Sequence, residues 1–481
     1  MSSRAQLFFG AFAGSAMLSW AILSPGWLLT PALAQTLVER HCTGKPDIPD
    51  DQQIIACSDA IKSGSFAGKD LAAALSNRGR AYRGKGDFDR AIADYDQAIP
   101  IDPGSAISFY GRGVAYFFKR DNDRAIDDLT KSIALDANFA AAYNGRGNAY
   151  AAKGDTDRAI ADFDQAIRLD PTAAYALNSR GVAYQAKGDI DRAIADYDQT
   201  LQLDPKNVVA MNNRGRAYQA KGDIDRAIAD YGQAIILDPA YAMAHSNRGG
   251  VYQMKGDYDR AIADYDAAIR IDPNYARAYD NRGSLYGTKG DQDRAIADYD
   301  QAIRLDPGLA HAWSNRGNAY TEKMDYDRAI ADLDQAIRLD PASVQSYYNR
   351  GVVYTVTKDY ARAIADYDQA IRLQPRLALA WNNRGFVYME NNEVDRAMAD
   401  YTEAIRLNPK FSVAFNNRGS SFARKKDYAH AIADYTEAVR LDPAYAEALM
   451  RRGMVRRLSG DKAGADADVA AAKKIDPDLV E

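Results

Sequence analysis

Histidine and cysteine are scarce in this chain, at four and two residues of 481. The histidines (His41, His245, His311, His430) are scattered, and none joins the cysteines at zinc-ligand spacing. No metal site is therefore expected. A charge excess of either sign is also missing. The 61 basic and 66 acidic residues leave a net charge of −5. Binding along a nucleic-acid backbone needs clustered Lys and Arg, so no nucleic-acid partner is expected. The chain also lacks a Gly-rich phosphate loop, an HExxH zinc motif and a GxSxG nucleophile turn. Without them the expectation is no enzyme, no catalytic residue and no small-molecule cofactor.

The first 38 residues lack charge almost entirely, because Arg4 is the only charged residue before Glu39. An apolar stretch from Leu7 to Leu33 is broken by Pro25 and Gly26, and Ala32-Leu33-Ala34 precedes Gln35 as an A-x-A cleavage site. This is the layout of a secretory signal peptide covering residues 1–34. An exported chain, periplasmic or secreted, follows. The alternative is an uncleaved membrane anchor, since the stretch is long enough to span, and membrane contact is expected only in that case. Cys42 and Cys57 both lie just after the leader, in the one stretch without the pattern described next. An even cysteine count in an exported segment favours a disulfide between them.

What is abundant is repetition. Pro103, Pro171, Pro205, Pro239, Pro273, Pro307, Pro341, Pro375, Pro409, Pro443 and Pro477 are spaced by 34 residues or twice that, and Ala137 fills the gap. A fixed period of this length denotes stacked supersecondary units. In residues 174–207, Leu177, Gly181 and Tyr184 share one helical face. Gly188 ends that helix and Asp189 caps a second one, whose apolar face is Ile190, Ala193, Ile194, Tyr197 and Leu201. Neither helix buries its face alone, so neighbours must stack. Gly79 to Gly453 and Ala91 to Ala465 recur without exception, and these small residues let the two backbones approach.

Leu177, Gly181, Tyr184, Ala193, Tyr197, Thr200 and Pro205 resemble the signature of the tetratricopeptide repeat, with Thr200 where Ala is usual. The resemblance implies an all-α fold: a right-handed solenoid of twelve helix–turn–helix repeats over 72–479, starting at 72, 106, 140, 174, 208, 242, 276, 310, 344, 378, 412 and 446. First helices would line the concave face. Residues 35–71 would form an N-terminal capping segment, because IIACSDAI resembles a second helix. With the leader, the chain is similar to exported bacterial members of the family.

One position departs from the family pattern. Arginine precedes the glycine in all twelve units (Arg78, Arg112, Arg146 to Arg452), and an aspartate follows sixteen residues later (Asp94, Asp128, Asp162 to Asp468). A charge near a packing surface needs a partner, so an Arg–Asp ladder between helices is expected. Its competitor is an i, i+4 pair such as Arg90 with Asp94.

On the first helices, Asn77, Asn213, Asn247, Asn281, Asn315, Asn349, Asn383 and Asn417 occupy one register. An amide offers a donor and an acceptor, so such a row could bond the backbone of an extended peptide. This resembles the asparagine ladders of peptide-binding solenoids. Duplication of one founding asparagine would produce the same row. Apolar groove contacts are expected at Ile107, Tyr110, Phe117 and Phe118, and at Tyr348, Val352, Phe386 and Met389, unless these rings pack on neighbouring helices. The family's lysine–asparagine–arginine clamp for a terminal carboxylate is absent, since only Arg451 matches it. The function expected is a non-enzymatic scaffold that binds a protein or an extended peptide. A self-assembling envelope component or an assembly chaperone subunit is the alternative.

Overall fold

The computed structural model describes Cys42, residues 48–64 and residues 66–479. The expected signal peptide lies outside the described residues. Among the described residues every regular element is a helix, and twenty-five follow in succession. The chain divides into two compact units, Met1–Asp257 and Tyr258–Glu481.

The first unit opens with Asp50–Lys62, which packs against Gly68–Gly84 in the place a second helix would take. Five helix pairs follow, from Gly68–Gly84 with Phe88–Ile101 to Val208–Lys221 with Ile224–Leu237, and then the helix Ala242–Met254. The second unit begins at Tyr258–Ile271 and continues through six pairs, from Ala276–Thr288 with Gln292–Leu305 to Ala446–Leu458 with Lys462–Ile475. From residue 106 onward the first helices begin at the repeat starts that the 34-residue period requires. The earliest begins at Gly68, before residue 72, because no Asp-Pro turn precedes it to stop the helix.

Each pair forms for local reasons. Most second helices start on an aspartate whose carboxylate accepts the backbone N–H three residues on, as Asp189 does from Arg192 at 3.2 Å, whereas Val394–Leu407 starts on Glu393, whose side chain makes no such bond. The turn before it needs a left-handed residue. Gly188 supplies this with φ 86°, but Arg120, Met324, Lys358, Asn392 and Lys426 hold the same position at φ between 60° and 64°. A residue with a Cβ pays about 1 kcal/mol or more there.

Within a pair, the invariant glycine faces the ring of the second helix. A Cβ on Gly181 would lie 2.6 Å from Tyr197, and one on Gly147 2.6 Å from Phe163 and 3.1 Å from the Ala159 carbonyl oxygen. The ring itself is sealed: Tyr197 and Tyr231 are fully buried. It packs with the alanine of its own helix and with the first helix of the next repeat, as in the cluster Tyr184, Ala193, Tyr197 and Ala217. Each hairpin thus completes its core only through its successor.

First helices of successive repeats touch one another within each unit, whereas no two second helices do. The stacking in each unit therefore brings the first helices closer together than the second helices, and within each unit the first helices form a row. Replacing Gly181 by Ala inserts a methyl into the ring of Tyr197. It should lower stability by roughly 1–3 kcal/mol, measured by urea unfolding of the full chain, while the same change at the open turn glycine Gly104 should be far milder.

Candidate functional site

The first-helix row is built on the arginine that precedes each glycine. The Arg112 guanidinium donates to Asp128 through Nε (2.7 Å) and Nη2 (2.8 Å), a two-pronged bond to the second helix of its own pair. Its remaining Nη1 reaches Asp96 of the preceding second helix at 2.7 Å. The same fork closes on Asp94 from Arg78, Asp196 from Arg180, Asp298 from Arg282 and Asp468 from Arg452. The third donor finds Asp164 from Arg180, Asp198 from Arg214 and Asp300 from Arg316, or a threonine where the sequence has one, as with Arg146 and Thr130 at 3.2 Å. Where the preceding second helix offers a polar side chain at that position, the arginine ties together three helices from two consecutive repeats; at Arg248 the position is Gly232, which offers none.

The ladder carboxylates are almost sealed, with Asp128 only 4% exposed. Burial pushes the Asp196 and Asp298 carboxyls up, against the pull of their arginines. The hydrogen bonds to Asp128 and Asp196 raise Arg112 and Arg180, despite the opposing effect of burial.

The competing i, i+4 pair does not form. Arg90 bonds back to the cap Asp87 and lies over the Tyr82 ring, 4.5 Å from its centre. The arrangement repeats at Arg124 over Tyr116 (4.4 Å), Arg192 over Tyr184 (4.5 Å) and Arg396 over Tyr388 (4.0 Å). It explains two departures late in the chain. His430 stacks on Phe422 at 5.1 Å, and where Gly464 removes the arginine the tyrosine is Arg456, which bonds Asp468 at 2.8 Å. The two positions change together because they touch. Pairing them in the sequence would have revealed the stack.

The asparagines lie on the first-helix row, and several bond across repeats. Asn213 Nδ2 donates to Asn178 at 3.1 Å, Asn247 to Asn212 at 2.8 Å, Asn315 to Asp280 at 3.1 Å, Asn383 to the Tyr348 hydroxyl at 3.0 Å and Asn417 to Asn382 at 3.1 Å. Asn77 donates to the Cys42 carbonyl at 2.9 Å. The acceptor is each time thirty-five residues earlier, one position before the asparagine register of the previous repeat. Part of each amide is thus spent on aligning neighbouring helices. Asn213 is buried, and the other seven remain partly exposed. Asn349 accepts from Gln345 at 2.7 Å. Asp280, the one carboxylate among these acceptors, also holds His311 Nδ1 at 2.7 Å, and this bond raises the imidazole's pKa.

The ladder register is glycine at 111 and 145 for a steric reason. A Cβ on Gly111 would strike the Tyr95 hydroxyl, and one on Gly145 would meet Leu129 at 3.1 Å.

The apolar candidates separate into two groups. Ile107 and Phe386 are exposed, at 66% and 42%. Phe117, Phe118 and Tyr110 pack against the cluster of Val114, Tyr116 and Leu129, and Phe118 stacks on Phe88 at 5.0 Å. Tyr348 and Val352 pack beside Tyr354 and Tyr367, and Met389 packs beside Tyr388 and Tyr401.

Models described as tetratricopeptide repeat or TPR repeat match residues 79–118, 106–139, 147–188, 174–207, 212–276, 286–324, 317–355, 344–377, 378–411 and 412–445. Together these matches span well over half the chain. The chain belongs to the tetratricopeptide repeat family. Among solved structures it is similar to a chain of the APC/C hetero-tetramer Cut9-Hcn1, with a TM-score of 0.54 and 14% identity over 94% of this chain and 95% of that one. YrrB, titled a TPR protein with an unusual peptide-binding site, aligns at 25% identity and a TM-score of 0.33 over 38% of this chain and 95% of that one. No curated protein matches the sequence. The fold shared with Cut9-Hcn1 is the stacked helical hairpin, and the chain is a tetratricopeptide scaffold of the kind that is typically non-enzymatic.

The tetratricopeptide caps carry a pH signature. Hydrogen bonds from the side chain and then the backbone of Arg192 hold the Asp189 carboxyl below the ordinary range, and the same holds at Asp121, Asp155, Asp223 and Asp325 with their own arginines. A carboxyl whose folded pKa is depressed contributes stability above its unfolded pKa, about 3.9, and loses it as pH falls through the folded value. Replacing Asp155, Asp189 and Asp223 by Asn keeps a capping oxygen but removes the titration. The variant should lose less stability than the parent between about pH 5 and pH 3, read as thermal midpoints. An unchanged slope would remove the caps as its source.

Proposed function

We propose that the chain is a non-enzymatic scaffold whose first-helix row holds an extended peptide segment of a protein partner. The observation that carries this reading is the register of partly exposed asparagines. Bonds to the preceding helix orient several of their amides, and the row repeats at the spacing of the hairpins. A preoriented amide pays less to bind than a free one. The peptide contacts proposed are Asn77, Asn247, Asn281, Asn315, Asn349, Asn383 and Asn417, with Ile107 and Phe386 as apolar anchors. Asn213 acts in alignment only, because it is buried.

Export is part of the same proposal. The Cys42 and Cys57 sulfurs lie within bonding distance, with Cα atoms 4.6 Å apart, which supports a disulfide and an oxidising compartment. They seal the capping helix against Ala74. Protein purified from an exported preparation should show no thiol that reacts with a maleimide under denaturing, non-reducing conditions. Two reactive thiols would contradict this part.

A second reading, self-assembly in the envelope, rests on the end of the stack. Met450, Met454, Val455, Leu458 and Leu479 line a recess of about 860 Å³ there, and Leu458 is 67% exposed. Concentration-dependent mass in solution would favour it.

Selection from a random peptide library against the full chain tests the first reading. Selected peptides should bind Asn315→Ala/Asn349→Ala/Asn383→Ala about tenfold more weakly, with the thermal midpoint little changed. Equal binding to parent and variant would show that the asparagines are not the contact.

A further inference from the structure

Charge is sorted between the two kinds of helix in the first unit. From residue 71 to 84, and in Ala106–Phe118, Ala140–Ala152, Ala174–Lys187, Val208–Lys221 and Ala242–Met254, no carboxylate occurs. The acids lie on second helices and turns, where they neutralise the ladder. Three arginines on the first helices have no carboxylate among the described residues. Arg80 donates to Gln53 at 2.6 Å, a neutral partner. Arg216 is exposed. Arg83 lies over the Tyr110 ring, 5.5 Å from its centre, and its Nη1 is buried with no hydrogen-bond partner.

Two unpartnered amides lie on the next first helix, Ala140–Ala152. Tyr110 would lie 3.8 Å from a Cβ on Gly145. Asn144, beside that glycine, is 3% exposed and its Oδ1 has no partner. One turn on, Asn148 is also 3% exposed, and both its Oδ1 and its Nδ2 are unpaired. A buried polar group left unsatisfied is costly, and a native structure holds few of them. This stretch therefore stores an unmet demand for one anion and for a group that both donates and accepts. A peptide backbone amide does both at once, and an acidic side chain is the anion. Ile107 and Tyr175, 66% and 41% exposed, offer apolar contact on the adjoining first helices.

We infer that the first-helix face of repeats one to four docks an extended acidic peptide, with its backbone amide on Asn148, its carboxylate on Arg83 and an apolar side chain between Ile107 and Tyr175. The inference rests on the scaffold reading above and names the chemistry of the partner. Asn144 and Asn148 are buried in the free chain, so the covering side chains part on binding, the Tyr110 ring among them. Nucleic acid is the poorer fit, because three guanidinium groups without a carboxylate among the described residues are too few to track a phosphate backbone.

Fluorescence anisotropy on the full chain tests this with three probes: a short peptide alternating Glu and Ser around one Leu, its Lys-for-Glu counterpart, and oligo-thymidine of similar length. The acidic peptide should bind, weaken as salt rises, and lose about tenfold in affinity on Arg83→Gln. Asn148→Leu should weaken it by a similar factor while raising the thermal midpoint, since it removes two unpaired atoms. Lys153→Gln, which deletes the same charge in a turn, should leave binding unchanged. Equal binding of the Lys peptide, tighter binding of oligo-thymidine, or no effect of Arg83→Gln overturns the proposal. If Asn148→Leu does not fold, Arg83→Gln alone decides. If library-selected peptides bind through the asparagines but the acidic peptide does not bind, this inference fails and the scaffold reading stands; if no peptide binds, both fail.

Discussion

A guanidinium fork that grips one carboxylate with two donors, and in most repeats reaches the preceding second helix with the third, is the constraint on which this array depends. Hairpins stacked only by apolar faces can slide or rotate against one another, because burial is not directional. The bond from Arg112 to Asp128 and Asp96 fixes both the angle within a pair and the step to its neighbour. Lysine would not serve, since it lacks the planar geometry for two parallel bonds. The cost is a desolvated charge in every repeat, and it is tolerable because each sealed carboxylate meets both prongs of the fork.

Much else follows from that spacing. The glycine next to the arginine brings the helices close enough for the fork to reach, and the ring across from it fills the space that a methyl would otherwise contest. The capping aspartate starts the second helix and also turns its arginine onto the tyrosine of the first. One side chain thus serves a cap, a salt link and a stack. By contrast, the exposed links between turns, such as Lys187 with Asp157, contribute little.

The hairpins and the ladder were legible in the sequence because a strict period repeats each signal twelve times. The glycine, the alanine and the Arg–Asp offset of sixteen residues could each be read as one interaction. The tyrosine–arginine stack was hidden because its members are eight residues apart on different helices, and only the paired changes at Phe422 with His430 and Arg456 with Gly464 betray it. In the sequence the asparagine row has the look of a surface for ligands, and the structure shows it bonded in part across repeats, an interaction set by stacking geometry that no offset within one unit discloses. Asn148 shares its register with the exposed Asn318, so position alone does not mark it. Its lack of partners is a property of packing, which periodicity cannot report.

The account stands on the sealed two-pronged fork, which locks the two helices of each hairpin together. A double-mutant cycle at Arg180 and Asp196 measures it directly, with Arg180→Met, Asp196→Leu and the double variant compared by urea unfolding of the full chain. Each single change breaks both prongs of the fork and leaves a partly or fully sealed charge under-paired, and should cost about 3–5 kcal/mol. The double change should recover at least about 1.5 kcal/mol of their sum. Additive losses would mean that the two residues stabilise the fold independently, and the central claim would be wrong.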